Sequence, residues 1–297
     1  MNATEFALAW VDRRVLMGTL EPSTATDYRK SIRAWSSLPD DPTKWDVQDA
    51  VIAMSAAGRA PSTIKKRLVT MRKAMDEAVE RGLVPSNPFA GVERPKYRRQ
   101  QHNYMPPEER ERLKARIASS NSQICVAAAI SLYAGLREGE VCALRTSDID
   151  LEARIGWVRQ SVGRDGGSTY LKTAKNGHMR DFPIPDPLAD VIGRWVDTNS
   201  VRGYLLTGTD RWADPVVIGR KWSALCEVEG FLGVLGKAPT FHDLRHTYAT
   251  VAIAAGVDVK TVSSVLGHSS AAMTLDVYAV ADPVAKRMSA NALAAAI

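Results

Sequence analysis

Cysteine is scarce: 297 residues contain only Cys125, Cys142 and Cys226, and no two of them stand at C-x-x-C spacing. An odd count without that spacing argues against a disulfide framework or a zinc site and fits a reducing compartment. Long apolar runs are missing too. The longest, Ile124–Ala134, is too short to span a bilayer and reads as a buried helix. The first residues, MNATEFALAWVDRR, lack the basic start and apolar stretch of a signal peptide. No repeat of solenoid period and no low-complexity segment is present.

What the chain does have is enough apolar residue, 45%, to core two domains. Its net charge of +6 is unevenly spread: residues 1–103 hold 17 Lys and Arg against 12 Asp and Glu, whereas residues 104–297 hold 22 against 21. A basic first third points to a polyanionic partner, although a solvated surface with chance excess charge has the same composition.

That first third reads as helices. Pro22-Ser23-Thr24 and Pro61-Ser62-Thr63 each precede an apolar-periodic run, with the hydroxyl residues as the starting signal. The second helix carries Ile64, Leu68, Met71, Met75 and Ala78 as one stripe and ends at Gly82. Lys65, Lys66, Arg72 and Lys73 lie on one flank of it, a face suited either to a DNA groove or to plain water. Residues 94–99, RPKYRR, are followed by Gln, Gln, His and Asn, the best linker in the chain. Lys96, Arg98 and Arg99 there would suit a segment crossing a phosphate backbone. The expected domains are 1–95, linker 96–103, and 104–297. The second domain opens with the Pro-led acidic helix start MPPEERERL. It stays helical to about Arg145. Short strands follow around Ile155–Arg159, Tyr170–Leu171 and Asp181–Pro185, and helix returns from Asp186. The fold class is mainly α with a small β-sheet.

Four stretches carry chemistry. Thr240–Thr250, TFHDLRHTYAT, crowds His242, Arg245 and His246 onto one helical face, where like charges repel unless an anion sits among them. Tyr133–Glu140, YAGLREGE, sets Arg137 just after a turn. Lys175-Asn-Gly-His-Met-Arg180-Asp-Phe-Pro places Lys175 near a hairpin tip, since Asn-Gly is a strong two-residue turn signal. Val265-Leu-Gly-His268-Ser-Ser is followed ten residues on by Tyr278. Singly these are a surface arginine, an exposed hairpin lysine, a helix end and a half-buried aromatic.

Together, in order and spacing, they resemble the tyrosine recombinase, or phage integrase, family over nearly the whole chain. The resemblance implies catalytic roles for Arg137, Lys175, His242, Arg245, His268 and Tyr278, with Tyr278 as nucleophile and Lys175 as general acid; Lys172 is the alternative acid, because hairpin lengths vary. Glu140 resembles the acidic residue that supports the first arginine, and His246 has no catalytic counterpart. On this reading the anion is a DNA phosphate. The arginines donate paired hydrogen bonds to it and stabilise the charge that builds as an oxygen attacks. A histidine accepts the tyrosine proton, and an ammonium protonates the leaving 5′-oxygen. One phosphodiester is exchanged for a 3′-phosphotyrosine, so neither ATP, metal nor other cofactor is implied. The expected partners are double-stranded DNA attachment sites, with a homotetramer on two paired sites and a monomer or weak oligomer free, in the nucleoid-bearing cytoplasm of a bacterial host and with no membrane. Helices of core-binding type begin almost at Met1, so the arm-binding domain of larger integrases is expected to be absent. Two other readings share the chemistry or the fold. A type IB topoisomerase would relax supercoils without exchanging partners, and a non-catalytic DNA-binding protein would form no covalent complex.

Overall fold

The computed structural model describes residues 2–96, 102–173 and 179–267. The chain divides into two compact units, Met1–Arg99 with Arg164–Ser168, and Gln100–Gly163 with Thr169–Ile297.

The first unit holds four helices, α1 (Ala3–Leu16), α2 (Pro22–Arg33), α3 (Lys44–Ala56) and α4 (Pro61–Glu80). The apolar stripe of α4 is buried along its whole length, Ile64, Leu68, Met71, Met75 and Ala78 alike. It meets Trp10, Val11, Ile32, Trp35 and Phe89 in one core, with Trp35 edge-on to Phe89 at 5.2 Å. Gly82 follows the C-cap of α4 at φ +68°, closing it as expected. The helix starts differ from the sequence reading. Neither α2 nor α4 is capped by a hydroxyl side chain; proline occupies the first turn and Ser and Thr lie inside the helix. Proline's φ is already helical and its missing N–H is one the first turn leaves unpaired anyway.

The second unit is mostly helical with two small sheets. Its elements are α5 (Pro107–Ala118), α6 (Gln123–Ala134), α7 (Glu138–Ala143), β1 (Ile149–Asp150), β2 (Ile155–Val158), β3 (Gln160–Asp165) and β4 (Ser168–Thr173) apart from their shared tip Arg164–Ser168, which falls in the first unit, β5 (Arg180–Pro183), α8 (Asp186–Asn199), α9 (Pro215–Glu229), α10 (Phe241–Ala254) and α11 (Val259–Leu266). The apolar run around Ile124 is α6, the central helix, buried on almost every side and packed against α5, α8, α9 and α10. Strands β1, β2 and β5 form one antiparallel sheet, with Val158 opposite Arg180 and Gly156 opposite Phe182. Strands β3 and β4 form the other, joined through Gly166-Gly167. Helix α10 opens on a reciprocal cap: Asp243 accepts from the Thr240 backbone N–H and hydroxyl at 2.7 and 2.6 Å. Among the described residues no helix is long and apolar enough to cross a membrane.

Candidate active site

Helix α6 ends at Gly135, whose φ of +67° turns the chain so that Arg137 becomes the N-cap of α7. A side chain at Gly135 would also be excluded by space: a Cβ there would lie 2.6 Å from both Leu266 of α11 and the Tyr248 ring of α10. The α6–α7 turn is thus pressed against α10 and the end of α11, and this closeness brings Arg137 and Arg245 to one place.

Glu140 is the centre of the cluster. It is 5% exposed. Its carboxylate accepts from the Arg137 backbone N–H at 2.8 Å and from the Arg137 guanidinium at 2.9 Å. The Arg245 guanidinium stands 4.0 Å from it and donates instead to two carbonyls, Gly135 and Leu266, each at 2.7 Å. Arg137 also reaches the Gly267 carbonyl at 3.1 Å, yet its side chain is 38% exposed, so part of its guanidinium faces water. Arg180 of β5, which no motif singles out, donates to both oxygens of Glu140 at 2.9 and 2.6 Å and to the Val265 carbonyl at 2.7 Å. Period-two alternation carries the available signal for it. Arg180 lies two residues before the buried Phe182, on the inward face of β5, where a charge needs a partner.

Electrostatics follow from this packing. Burial works to raise the Glu140 pKa, but Arg180's hydrogen bond and charge, with Arg137's charge, hold it below the ordinary value. Burial, then the charge of Arg137, brings Arg245 down to about 9, which leaves it a cation at neutral pH. His242 is lowered by desolvation and by Arg245, and so is biased to the neutral imidazole that can accept a proton. Beside it lies His246, edge-on at 4.6 Å, and His102 stacks on His246 at 3.8 Å. The same entering segment is held to this unit by Asn103, which donates to the Lys237 carbonyl at 2.9 Å, and by the Met105 N–H on the Thr247 hydroxyl at 2.9 Å.

Of the residues the motifs single out, Arg137, Glu140, His242 and Arg245 are thus gathered. Lys175, His268 and Tyr278 lie outside the described residues, as do Arg98 and Arg99. Lys172 sits on β4 with its ammonium 5.5 Å from the Tyr170 ring and its stem against Gly163. In the other unit, Lys65, Lys66, Arg72 and Lys73 of α4 are exposed, as is Lys96. Lys66 pairs with Asp27 at 2.8 Å and Arg72 with Asp76 at 3.9 Å, whereas Lys65 and Lys73 have no ion pair among the described residues. Among the described residues no group of three or more His, Cys, Asp or Glu is arranged to hold a metal.

Comparison with known proteins places the chain in a family. The chain is 26% identical over 272 residues to a tyrosine recombinase of Thermosipho africanus, covering 88% of this chain and 89% of that one. Its fold is similar to that of the Tn1549 transposon integrase solved with a circular intermediate DNA, at a TM-score of 0.80, 21% identity, and coverage of 98% and 99%. It is also similar to the lambda integrase bound to DNA, at a TM-score of 0.69, 18% identity, and coverage of 91% and 92%. The model of the phage integrase family matches residues 103–283, more than half the chain, and the protein belongs to that family.

Proposed function

We propose that this chain is a site-specific DNA recombinase that cleaves and rejoins strands through a 3′-phosphotyrosine. The observation that carries this reading is the gathering of Arg137 and Arg245 around Glu140 with His242 beside them. Three guanidiniums, counting Arg180, meet one carboxylate there, so the cluster keeps a positive excess with the partly exposed Arg137 at its edge. Such an excess suits the equatorial oxygens of a phosphodiester under attack, whose negative charge grows toward the transition state.

In this mechanism the Tyr278 oxygen bonds to phosphorus and the bond to the 5′-oxygen breaks. The tyrosine proton passes to neutral His242, and Lys175 returns a proton to the leaving oxygen. His268 joins the arginines in binding the phosphate. A second 5′-hydroxyl then attacks the phosphotyrosine and restores the phosphodiester, so no external energy source enters. The proposed partner is duplex DNA bearing attachment sites, as DNA is the partner in the transposon and lambda integrase structures. The proposed assembly is a homotetramer on two paired sites, formed from weakly associating protomers in a bacterial cytoplasm, at the nucleoid.

The test is covalent capture on a nicked half-site. Tyr278→Phe is expected to bind the site as the native protein does and to form no adduct. Tyr248 is the right control: it lies against Gly135, and burial raises its pKa although Arg245 opposes this. Tyr248→Phe should still form adduct. An adduct in the first variant, or its loss only in the second, refutes Tyr278 as nucleophile.

A further inference from the structure

We infer that Arg180 is a positioning residue for the strand-cleavage reaction: by forking onto both oxygens of Glu140, which Arg137 also binds, it offsets the carboxylate's charge and so keeps the positive excess of the cluster available to the phosphate. The inference rests on the cleavage reading above and names a residue outside its reacting set.

Arg180 is placed unlike the other two arginines. Its guanidinium meets Glu140 end-on with one N–H to each oxygen, and its third bond goes to the Val265 carbonyl. The side chain is 16% exposed, against 38% for Arg137. Three of its five N–H groups are spent inside the protein, in the fork geometry in which a guanidinium binds a carboxylate most strongly. Unlike Arg245, which only stands 4.0 Å from the Glu140 carboxylate, Arg180 is bound to both of its oxygens. It acts through Glu140.

Consider the cluster without it. Glu140 is the only carboxylate bonded to these arginines among the described residues, since Asp243 turns its oxygens to Thr240. With Arg180 in place, three cations share one anion and the excess is two charges. Remove Arg180 and the excess is one, and the Glu140 carboxylate, left with only Arg137's guanidinium and backbone N–H as donors, draws the guanidiniums of Arg137 and Arg245 inward. Arg245 already stands 4.0 Å from one of the Glu140 oxygens. The loss falls on both charge and aim, in a buried setting where charge is poorly screened.

Arg180 also ties three separate elements. It links β5, α7 through Glu140, and the last turn of α11 through Val265. Gly267 follows that turn at φ +63°, and a Cβ there would press on the Arg180 guanidinium at 3.0 Å. The backbone that leads into His268 is thus shaped around Arg180.

The experiment measures phosphotyrosine adduct formation under single turnover on half-sites carrying either an ordinary scissile phosphate or a methylphosphonate, which lacks the negative charge. Arg180→Gln is expected to slow cleavage of the ordinary phosphate on the order of 10²-fold, and that of the methylphosphonate less than about tenfold, because a neutral phosphorus centre needs less positive field. A double variant, Glu140→Gln with Arg180→Gln, restores the two-charge excess, and its amide oxygen in place of the carboxylate can still accept from Arg137. It should cleave faster than Arg180→Gln alone. Arg180→Lys should recover part of the rate through its charge. Equal slowing on both substrates, or a double variant no faster than the single, would show Arg180 to be only a structural strut. Half-site affinity and thermal melting of each variant separate lost folding from lost rate. If the native protein forms no adduct at all, the cleavage reading itself fails; if it does and Arg180→Gln keeps its rate, this inference alone fails.

Discussion

Single residues near the cluster differ in what burial does to them. Glu138, next to Arg137, has a buried Oε1 without a hydrogen-bond partner among the described residues, and burial together with Asp214 raises its pKa to about 7. A carboxyl whose folded pKa is raised contributes stability that is fully present below its unfolded value, ordinarily 4.5, and is lost as pH rises through about 7. Glu138→Gln should therefore raise the melting temperature at pH 8, by about 2–4 °C for each kcal/mol recovered, and leave it nearly unchanged at pH 4.5. An equal gain at both pH values would show that titration of Glu138 is not the cause. His242 carries a kinetic counterpart. Its pKa is lowered, by desolvation first, so the acid limb of the cleavage rate should lie below the ordinary histidine value of 6.5. Single-turnover rates from pH 5 to 8 measure this; a limb above 6.5, or one that survives in His242→Gln, rejects His242 as the proton acceptor.

At the scale of elements, α4 makes the basic face testable. Lys65 and Lys73 are exposed, and neither has an ion pair among the described residues, whereas Lys66 is held by Asp27. Each DNA phosphate that a variant no longer neutralises should flatten the log–log salt dependence of binding by about 0.9. Lys65→Ala and Lys73→Ala are expected to show this step, and Lys66→Ala a smaller one, because binding there must first break a pair. Salt titrations of half-site affinity give the slopes, and identical slopes in all four proteins would mean a merely solvated face. The same helix shows what a sequence makes legible. Its stripe is a local period, so Ile64 to Ala78 can be placed on one buried side from spacing alone. The two-residue β1 has no period to find, and Gly166-Gly167, which joins β3 to β4, is a weaker turn signal than Asn176-Gly177 nearby. In the site, Arg137 and Glu140 stand three apart and His242 and Arg245 likewise, so their neighbourhood is readable from helical spacing. Arg180 meets Glu140 from forty residues away, and only the β2–β5 register and the turn at Gly135 create that meeting.

For the whole molecule, the division of labour between the units decides what each can do alone. The second unit has its own core from Met105 to Leu244, and Asn103, Met105 and His102 fasten its entering segment to the unit itself. The arginine cluster draws on α7, α10, β5 and the end of α11, all within this unit. The exposed lysines of α4 belong to the other. On the proposed function, with α4 as a DNA-binding face, chemistry and part of the electrostatic hold on DNA would be separable. A fragment of residues 102–297 is expected to fold cooperatively and to form the Tyr278 adduct on a nicked half-site at high DNA concentration. Its affinity should be weaker and its salt slope flatter, by about 0.9 for each phosphate that α4 neutralises in the full chain. Recombination between two duplexes should fall further than single-site cleavage, because every protomer of an assembly on paired sites would lose its hold at once. Adduct yield, salt slope and recombinant product can be measured on the same fragment. A folded fragment that forms no adduct at saturating DNA would place part of the reaction's requirements in residues 1–101, and one with the native salt slope would strip α4 of its role in binding.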